Sequence, residues 1–276
     1  MIHDEDLRSS LDYTEGQKEA AHRVLIELIN LFGEYKDDLR IVGGWVPDLM
    51  FPDREHIGSV DVDVLINHLT LQDSGYQSMQ KILLKNGYQE HPEKYFSFIK
   101  DIVIDGVTYA VDVDILAGMY GGTSLKKRSQ HVQGMRALKA TGGNFAFEFP
   151  PQEIKVEAKR PDGAMDVATI NVIAVVPYLI MKTAALGRGK AKDAYDIYFI
   201  VKHYVGGVRE LANEFTKVQD RKLVLDMKQK LSDKFASEKH SGPKDVSDFM
   251  DLLDDEEIEM TQRDAYEQIQ ELLRLI

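Results

Sequence analysis

Four aspartates carry the chemistry that this sequence offers. Asp61 and Asp63 stand two apart in Val60–Ile66, where valine and aspartate alternate, and Asp112 and Asp114 repeat the arrangement in Thr108–Leu116. In an extended strand, side chains two apart leave the same face, so each pair forms a carboxylate platform while the valines enter the core. Aspartate is depleted in strands because it bonds its own backbone and packs poorly, so its recurrence at alternate positions needs a reason. If the two strands are neighbours with these faces aligned, three or four carboxylates converge, and only cations between them make that tolerable. An oxygen-rich, sulfur-free set suits Mg²⁺ or Mn²⁺. For either pair alone the competing reading is a solvated strand face. Alternation leaves open whether Asp112 or Asp114 would complete the set, because both face the same way.

A second feature lies just upstream. The apolar run Leu39–Val42 stops at Gly43-Gly44, and Trp45–Met50 can begin a short helix with Pro47 in its first turn. A Gly-Gly turn between strand and helix lets the backbone come close to a bound group, and the N–H groups at a helix start favour anions such as a triphosphate. Ser59, two residues before Asp61, could add a hydroxyl. By itself a Gly-Gly pair is also an ordinary loop.

The elements that must hold these residues read as a mixed α/β half to about residue 173 and a helical half after it. Thr14 and Gln17 form a capping box before an amphipathic helix carrying Ala21, Val24, Leu25, Leu28 and Phe32. Leu71–Asn86 reads as a helix ending at Gly87, and Tyr95–Ile104 as a strand turning at Asp105-Gly106. Phe145–Phe149, Glu153–Lys159 and Val167–Ile173 read as further strands. Pro177 opens a helix to about Leu186, Gly187-Arg188-Gly189 interrupts it, and Ala191–Tyr204 resumes. One long charged helix is expected from Gly207 to about Phe235, then a polar break over Ser237–Lys244 and two last helices, the final one from Thr261.

Composition sets limits on function. The 276 residues include no cysteine, which excludes disulfide scaffolds, thiolate zinc sites and cysteine nucleophiles. The eight histidines show no His-x-x-x-His spacing, and no Gly-x-Ser-x-Gly, Gly-x-Gly-x-x-Gly or P-loop motif occurs. The longest apolar run, Val172–Met181, is too short for the roughly 20 residues of a membrane span, and the acidic start lacks a signal-peptide core, so a soluble, cytoplasmic protein is expected. A net charge of −12 argues against broad nucleic-acid coating. It conceals a partition, however: residues 120–195 carry twelve Lys or Arg against six Asp or Glu. There lie Lys126-Lys127-Arg128 and, around the Gly-Arg-Gly break, Lys182, Arg188, Lys190 and Lys192. Basic groups beside a metal–carboxylate cluster are what transfer from a polyphosphate needs.

Gly43-Gly44 after a strand, Ser59-Val60-Asp61-Val62-Asp63 on the next and an aspartate on a later strand together resemble the DNA polymerase β type nucleotidyltransferase superfamily. The run from Pro177 to Tyr198, with Lys182, Arg188, Lys192, Asp193 and Asp196, is similar to the Lys…Arg…Lys/Arg-Asp-x-x-Asp-Leu motif of AbiEii-type toxins, the nucleotidyltransferase half of type IV toxin–antitoxin pairs. The resemblance implies an α+β (mixed α/β) chain: a polymerase-β-like core with a mixed sheet over 1–173, and an α-helical C-terminal domain over 174–276. It implies a nucleotidyltransferase that moves an NMP from an NTP such as ATP or GTP to an acceptor hydroxyl, often a tRNA 3′ end, with Mg²⁺ (or Mn²⁺), in a toxin–antitoxin or phage-defence system with a cognate antitoxin.

In that reading Asp61 and Asp63 bind the metal ions, and Asp112 or Asp114 completes the cluster and helps deprotonate the acceptor. Gly43, Gly44 and Ser59 hold the triphosphate, Lys182 and Asp193 match the family's fourth motif, and Lys182, Arg188, Lys190 and Lys192 meet the nucleotide. Two departures stand out. Seventeen positions separate Gly44 from Asp61, more than is usual, and Val60 stands where a basic residue is common. Two other functions fit the same residues: transfer to a small molecule or a protein hydroxyl, and a catalytically silent nucleotide-binding module.

Overall fold

The computed structural model describes residues 7–71, 78–118 and 129–276. The expected basic patch Lys126-Lys127-Arg128 lies outside the described residues, as does part of the helix expected over Leu71–Asn86. Contacts divide the chain into two compact units. Of the described residues, one comprises Tyr13–Met50 and Gly58–Pro177, the other 7–12, Phe51–Ile57 and Tyr178–Ile276.

The first unit is built on a mixed sheet of nine strands among the described residues. The strands are β1 (Leu39–Val42), β2 (Val62–Ile66), β3 (Gln89–Glu90), β4 (Ser97–Ile104), β5 (Val107–Gly118), β6 (Ser129–Val132), β7 (Met135–Ala140), β8 (Gln152–Lys159) and β9 (Met165–Val172). They run in the order β3-β4-β5-β2-β1-β9-β8, with β7 also on β5 and β6 on β7. β5 is the longest and has two partners along one edge: β4 covers Val107–Asp114 antiparallel, and β7 covers Leu116–Gly118 parallel. On its other edge β2 runs parallel to it.

Helix α1 (Glu15–Leu31) lies against β4, β5, β8 and β9. It starts at the expected capping box, in which the Thr14 hydroxyl accepts from the Gln17 N–H and the Gln17 side chain accepts from the Thr14 N–H. Its Ala21, Val24, Leu25 and Leu28 are fully buried, as are Val62, Val64, Val113 and Ile115 of the sheet. The alternation seen in the sequence is therefore a buried face and an acidic face of the same two strands. Short helices α2 (Trp45–Met50) and α3 (Met79–Lys85) follow β1 and precede β3.

Three expectations about elements need correction. Phe145–Phe149 is no strand; the chain forms a one-turn helix α4 (Gly143–Ala146). Gly143 and Gly118 meet there so closely that a Cβ on either would collide with the other segment, and this contact fixes the turn. The hairpin of β6 and β7 has no counterpart in the sequence reading.

The third correction concerns the second unit, whose helices are the C-terminal part of α5 (Val175–Ala185), then α6 (Ala191–His203), α7 (Gly207–Glu214), α8 (Lys222–Lys234), α9 (Ser241–Phe249) and α10 (Asp255–Leu275). The expected long helix to Phe235 is two helices. Between them, Phe215 is fully buried and successive three-residue turns close at Thr216, Val218 and Arg221, which replaces the helical ladder. The expected polar break is largely α9, with Pro243 in its first turn. The last helix begins six residues before Thr261, because Asp254 caps it by accepting from the N–H groups of Glu256 and Glu257 at 3.0 Å each. Acidic residues 255–257 then sit at the positive end of the helix dipole. Around α6 pack α7, α9 and α10. Among the described residues no helix is long and apolar enough to cross a membrane.

Candidate active site

The first unit carries the acidic platform. Parallel pairing of β2 with β5 sets Asp63 opposite Asp114 and Val62 opposite Val113, so the two carboxylate-bearing faces coincide. Asp61 enters just before β2. Its backbone carbonyl accepts a 2.8 Å bond from the Trp45 indole N–H, and its Oδ1 accepts a 2.5 Å bond from Ser59 Oγ. Trp45 is buried and stacked on His22, with ring centroids 5.3 Å apart.

β1 pairs antiparallel with β2, which brings the Gly43 end of β1 beside Asp63. Gly43 has φ +71°, and a Cβ there would overlap the Asp63 carboxylate. The first residue of the Gly-Gly turn is thus dictated by the aspartate that it must accommodate. Gly44 leads directly into α2.

The two aspartates of β5 differ in their surroundings, which alternation could not show. Asp112 Oδ2 accepts a 2.9 Å ion pair from Lys94 Nζ. Asp114, opposite Ser97 in β4, has a buried Oδ1 with no hydrogen-bond partner. Burial, then the nearby Asp61 and Asp112 charges, push its carboxyl up to about 7, against the opposing pull of the Ser97 hydrogen bond and Lys94. A buried carboxylate oxygen without a partner is costly in isolation, by roughly 1–3 kcal/mol, and such an orphan in a folded chain needs a reason.

Among the described residues, no three carboxylate or imidazole groups are gathered closely enough to hold an ion as they stand. Asp61 is engaged with Ser59 and Asp112 with Lys94. The donor chemistry nevertheless fits a hard divalent cation: carboxylate oxygens on adjoining strands, one of them unbonded, with no competing sulfur or imidazole assigned to the group.

The second unit holds a separate network around α6. Asp196 is fully buried. It receives Lys182 Nζ at 2.7 Å, Lys192 Nζ at 3.0 Å and His56 Nε2 at 3.0 Å. Asp193 receives Lys182 Nζ at 3.0 Å and Arg188 Nη2 at 3.1 Å. Helical spacing explains the pattern: Lys192 and Asp196 are four apart, and Asp193 lies one turn from Asp196 on the same buried side. Burial pushes the Asp196 carboxyl up, but Lys182, Lys192 and the His56 bond outweigh it and hold the group far below the usual carboxylate range. Burial likewise pulls Lys182 down, and the two aspartates overcome it, so the ammonium is held charged.

Burial also takes His56 down to about 4, so at neutral pH the ring is uncharged and Nε2 carries the proton donated to Asp196. The ring is enclosed between Tyr195, stacked at 5.3 Å, and Phe199, edge-on at 4.7 Å. Arg188 differs from the buried lysines: its side chain is 59% exposed in the Gly-Arg-Gly turn that separates α5 from α6. Lys190 stands at the N-cap position of α6, and its carbonyl accepts from the Asp193 N–H.

Lys94 and His56 were not among the residues that the sequence singled out, and Asp196 was named there only as part of the AbiEii-type motif. Asp196 had a local signal, the four-residue spacing from Lys192. Lys94 and His56 lie 18 and 140 residues from their partners, and no local pattern marks them.

Comparison with known protein families finds one match. Residues 58–273 match the model of a family described as "Nucleotidyl transferase AbiEii toxin, Type IV TA system". No curated protein and no solved structure matches the chain.

Proposed function

The chain belongs to the AbiEii nucleotidyltransferase toxin family of type IV toxin–antitoxin systems, and from that premise we propose that it moves an NMP from an NTP to an acceptor hydroxyl at a tRNA 3′ end. The acceptor oxygen attacks the α-phosphorus, the bond to the β-phosphate oxygen breaks, pyrophosphate leaves, and the hydroxyl proton passes to a carboxylate. The observation that carries this reading is the register of β2 on β5, with Asp63 beside Asp114, Asp61 one step away, and the Gly43 turn against Asp63.

Asp61, Asp63 and Asp114 are the residues that would hold Mg²⁺ or Mn²⁺. When bound, such ions polarise the phosphate and offset the charge on the leaving pyrophosphate. Asp114 is preferred over Asp112 as the third carboxylate because Asp112 is already paired with Lys94. Gly43 and Gly44 leave the backbone open to the triphosphate, and Ser59 orients Asp61 through its hydroxyl. In the second unit, Lys182 and Lys192 pair with Asp193 and Asp196, and Arg188, itself paired with Asp193, keeps a largely exposed side chain that an anionic substrate would meet.

The acidic balance of the chain, −12 overall, favours a second reading in which the acceptor is a small molecule or a protein hydroxyl. One experiment separates them. The protein is incubated with Mg²⁺, each labelled NTP, total tRNA and a protein extract. Label in tRNA that disappears in Asp61→Ala supports the first reading, label only in a non-RNA fraction supports the second, and no labelled product with any NTP overturns both.

A further inference from the structure

We propose that Lys94 is a counter-ion built into the acidic platform, which holds Asp112 back and so limits the divalent-cation set to Asp61, Asp63 and Asp114. The proposal rests on reading that platform as a metal site.

Its basis is the loop between β3 and β4. The backbone N–H of His91 donates to the Ser97 carbonyl at 3.0 Å and closes the loop at its base. Inside it, the buried His91 ring accepts at Nδ1 from the N–H groups of Glu93 at 3.0 Å and Lys94 at 2.9 Å, and the Lys94 carbonyl accepts from the Ser97 N–H at 3.0 Å. The backbone of Lys94 is thus bonded on both sides before its side chain makes any contact. Most surface ion pairs gain little, because two mobile side chains must be ordered and water screens them. Here the backbone is already ordered, and the partners are only 19% and 11% exposed.

The loop and the first residue of β4 serve the two aspartates of β5 with groups of different charge. Ser97, opposite Asp114, offers a neutral hydroxyl, which brings no counter-charge to that carboxylate. Lys94 offers a full positive charge to Asp112, which cancels it. Four carboxylates would otherwise lie on one face of two neighbouring strands. With Lys94 in place the charge of Asp112 is compensated, and an incoming dication also meets the ammonium's repulsion. A single charge a few ångströms from a dication changes its binding by at least about tenfold, even with strong screening.

The test measures Mn²⁺ binding to the full-length protein without nucleotide, by calorimetry and by the loss of the free-ion paramagnetic resonance signal, with circular dichroism to confirm folding. Lys94→Met is expected to bind Mn²⁺ at least about tenfold more tightly, because it frees Asp112 and removes the repulsion. Lys94→Arg keeps the charge and should leave affinity unchanged, and Asp112→Asn, which leaves the ammonium uncompensated, should weaken it. The Lys94→Met/Asp112→Asn double variant should return near wild type. Unchanged or weaker binding in folded Lys94→Met overturns the proposal. If that variant does not fold, unaltered affinity in Asp112→Asn does so instead. Failure of the wild type to bind Mn²⁺ at all overturns the metal assignment, a result distinct from either.

Discussion

Asp63 and Asp114 stand opposite one another in adjoining parallel strands, on the face of the sheet that Gly43 also approaches. Two carboxylates side by side, one with a buried oxygen that no donor meets, oppose folding rather than support it. Under the proposed function, that unfavourable charge is what a bound cation would offset.

The pH dependence of Asp114 tests that cost. Its carboxyl is raised to about 7 in the folded chain from an ordinary value of 3.8, so the folded state resists ionisation that the unfolded state undergoes freely. The penalty is absent below the unfolded value, grows as pH rises through the interval, and is complete above about 7. Asp114→Asn should abolish nucleotidyl transfer yet raise stability at pH 8 by about 1–2 kcal/mol, with the gain shrinking toward pH 5. Urea unfolding in chelator at both pH values checks this. Equal gains at the two would show that the carboxyl is not strained.

Gly43→Ala is a backbone and a site variant at once. At φ +71° any side chain is strained, and the new methyl would displace the Asp63 carboxylate. We expect a loss of about 1–2 kcal/mol in stability together with a transfer rate lowered by about 10²-fold or more. A variant that retained wild-type turnover would show that Asp63 can occupy another position without loss.

What could be read from the sequence follows how far apart the interacting residues are. The Thr14 capping box, the Gly43-Gly44 turn and the alternation of Asp61, Asp63, Asp112 and Asp114 are all written within a few residues, where backbone sterics and pleating decide the outcome. What distinguishes Asp112 from Asp114 was not legible, because it is the ion pair to Lys94, which a loop between other strands delivers. The lysines near Asp193 read as a basic patch, and the basicity is real, but His56 and Asp196 show that Lys182 and Lys192 face carboxylates inside their own unit. The helix at Gly143–Ala146 was misread as a strand because its aromatic residues suit either, and the close approach of Gly118 that decides the matter is remote in sequence.

The buried network around α6 predicts two separable effects. Asp196→Ala leaves the cations of Lys182 and Lys192 buried without their shared partner, and should cost about 3–5 kcal/mol. Arg188→Ala removes an exposed partner of Asp193, and should cost no more than about 1 kcal/mol. If Arg188 meets the substrate, the second variant loses transfer activity while its melting temperature hardly moves. Equal losses of stability in the two would contradict the division into buried and exposed roles.

His56 adds an acid sensitivity of defined sign. Its folded value, about 4, lies below the ordinary 6.5, so the unfolded chain takes the proton first as pH falls. The stability it contributes is present above about 6.5 and is lost progressively down to about 4. The loss should be of order 2–3 kcal/mol over that window. His56→Gln, which retains a donor for Asp196 but cannot titrate, should flatten the acid limb of a melting-temperature profile; an unchanged slope would place the acid sensitivity elsewhere.

Trp45 links packing to chemistry most directly. Its indole N–H holds the Asp61 carbonyl at 2.8 Å, and the ring is fixed by burial and by His22, so the backbone entering β2 is anchored one atom group away from a proposed metal ligand. Trp45→Phe keeps a ring to stack on His22 but removes the donor, leaving a carbonyl short of a partner at a cost of about 1 kcal/mol. The larger effect should be on orientation, since displacements of an ångström at a reacting centre cost up to roughly 10²-fold in rate. We therefore expect kcat to fall by at least about tenfold with the KM for NTP little changed. Steady-state kinetics beside thermal melts decide it. If kcat fell only in proportion to the folded fraction, Trp45 would be a core residue with no part in aiming Asp61.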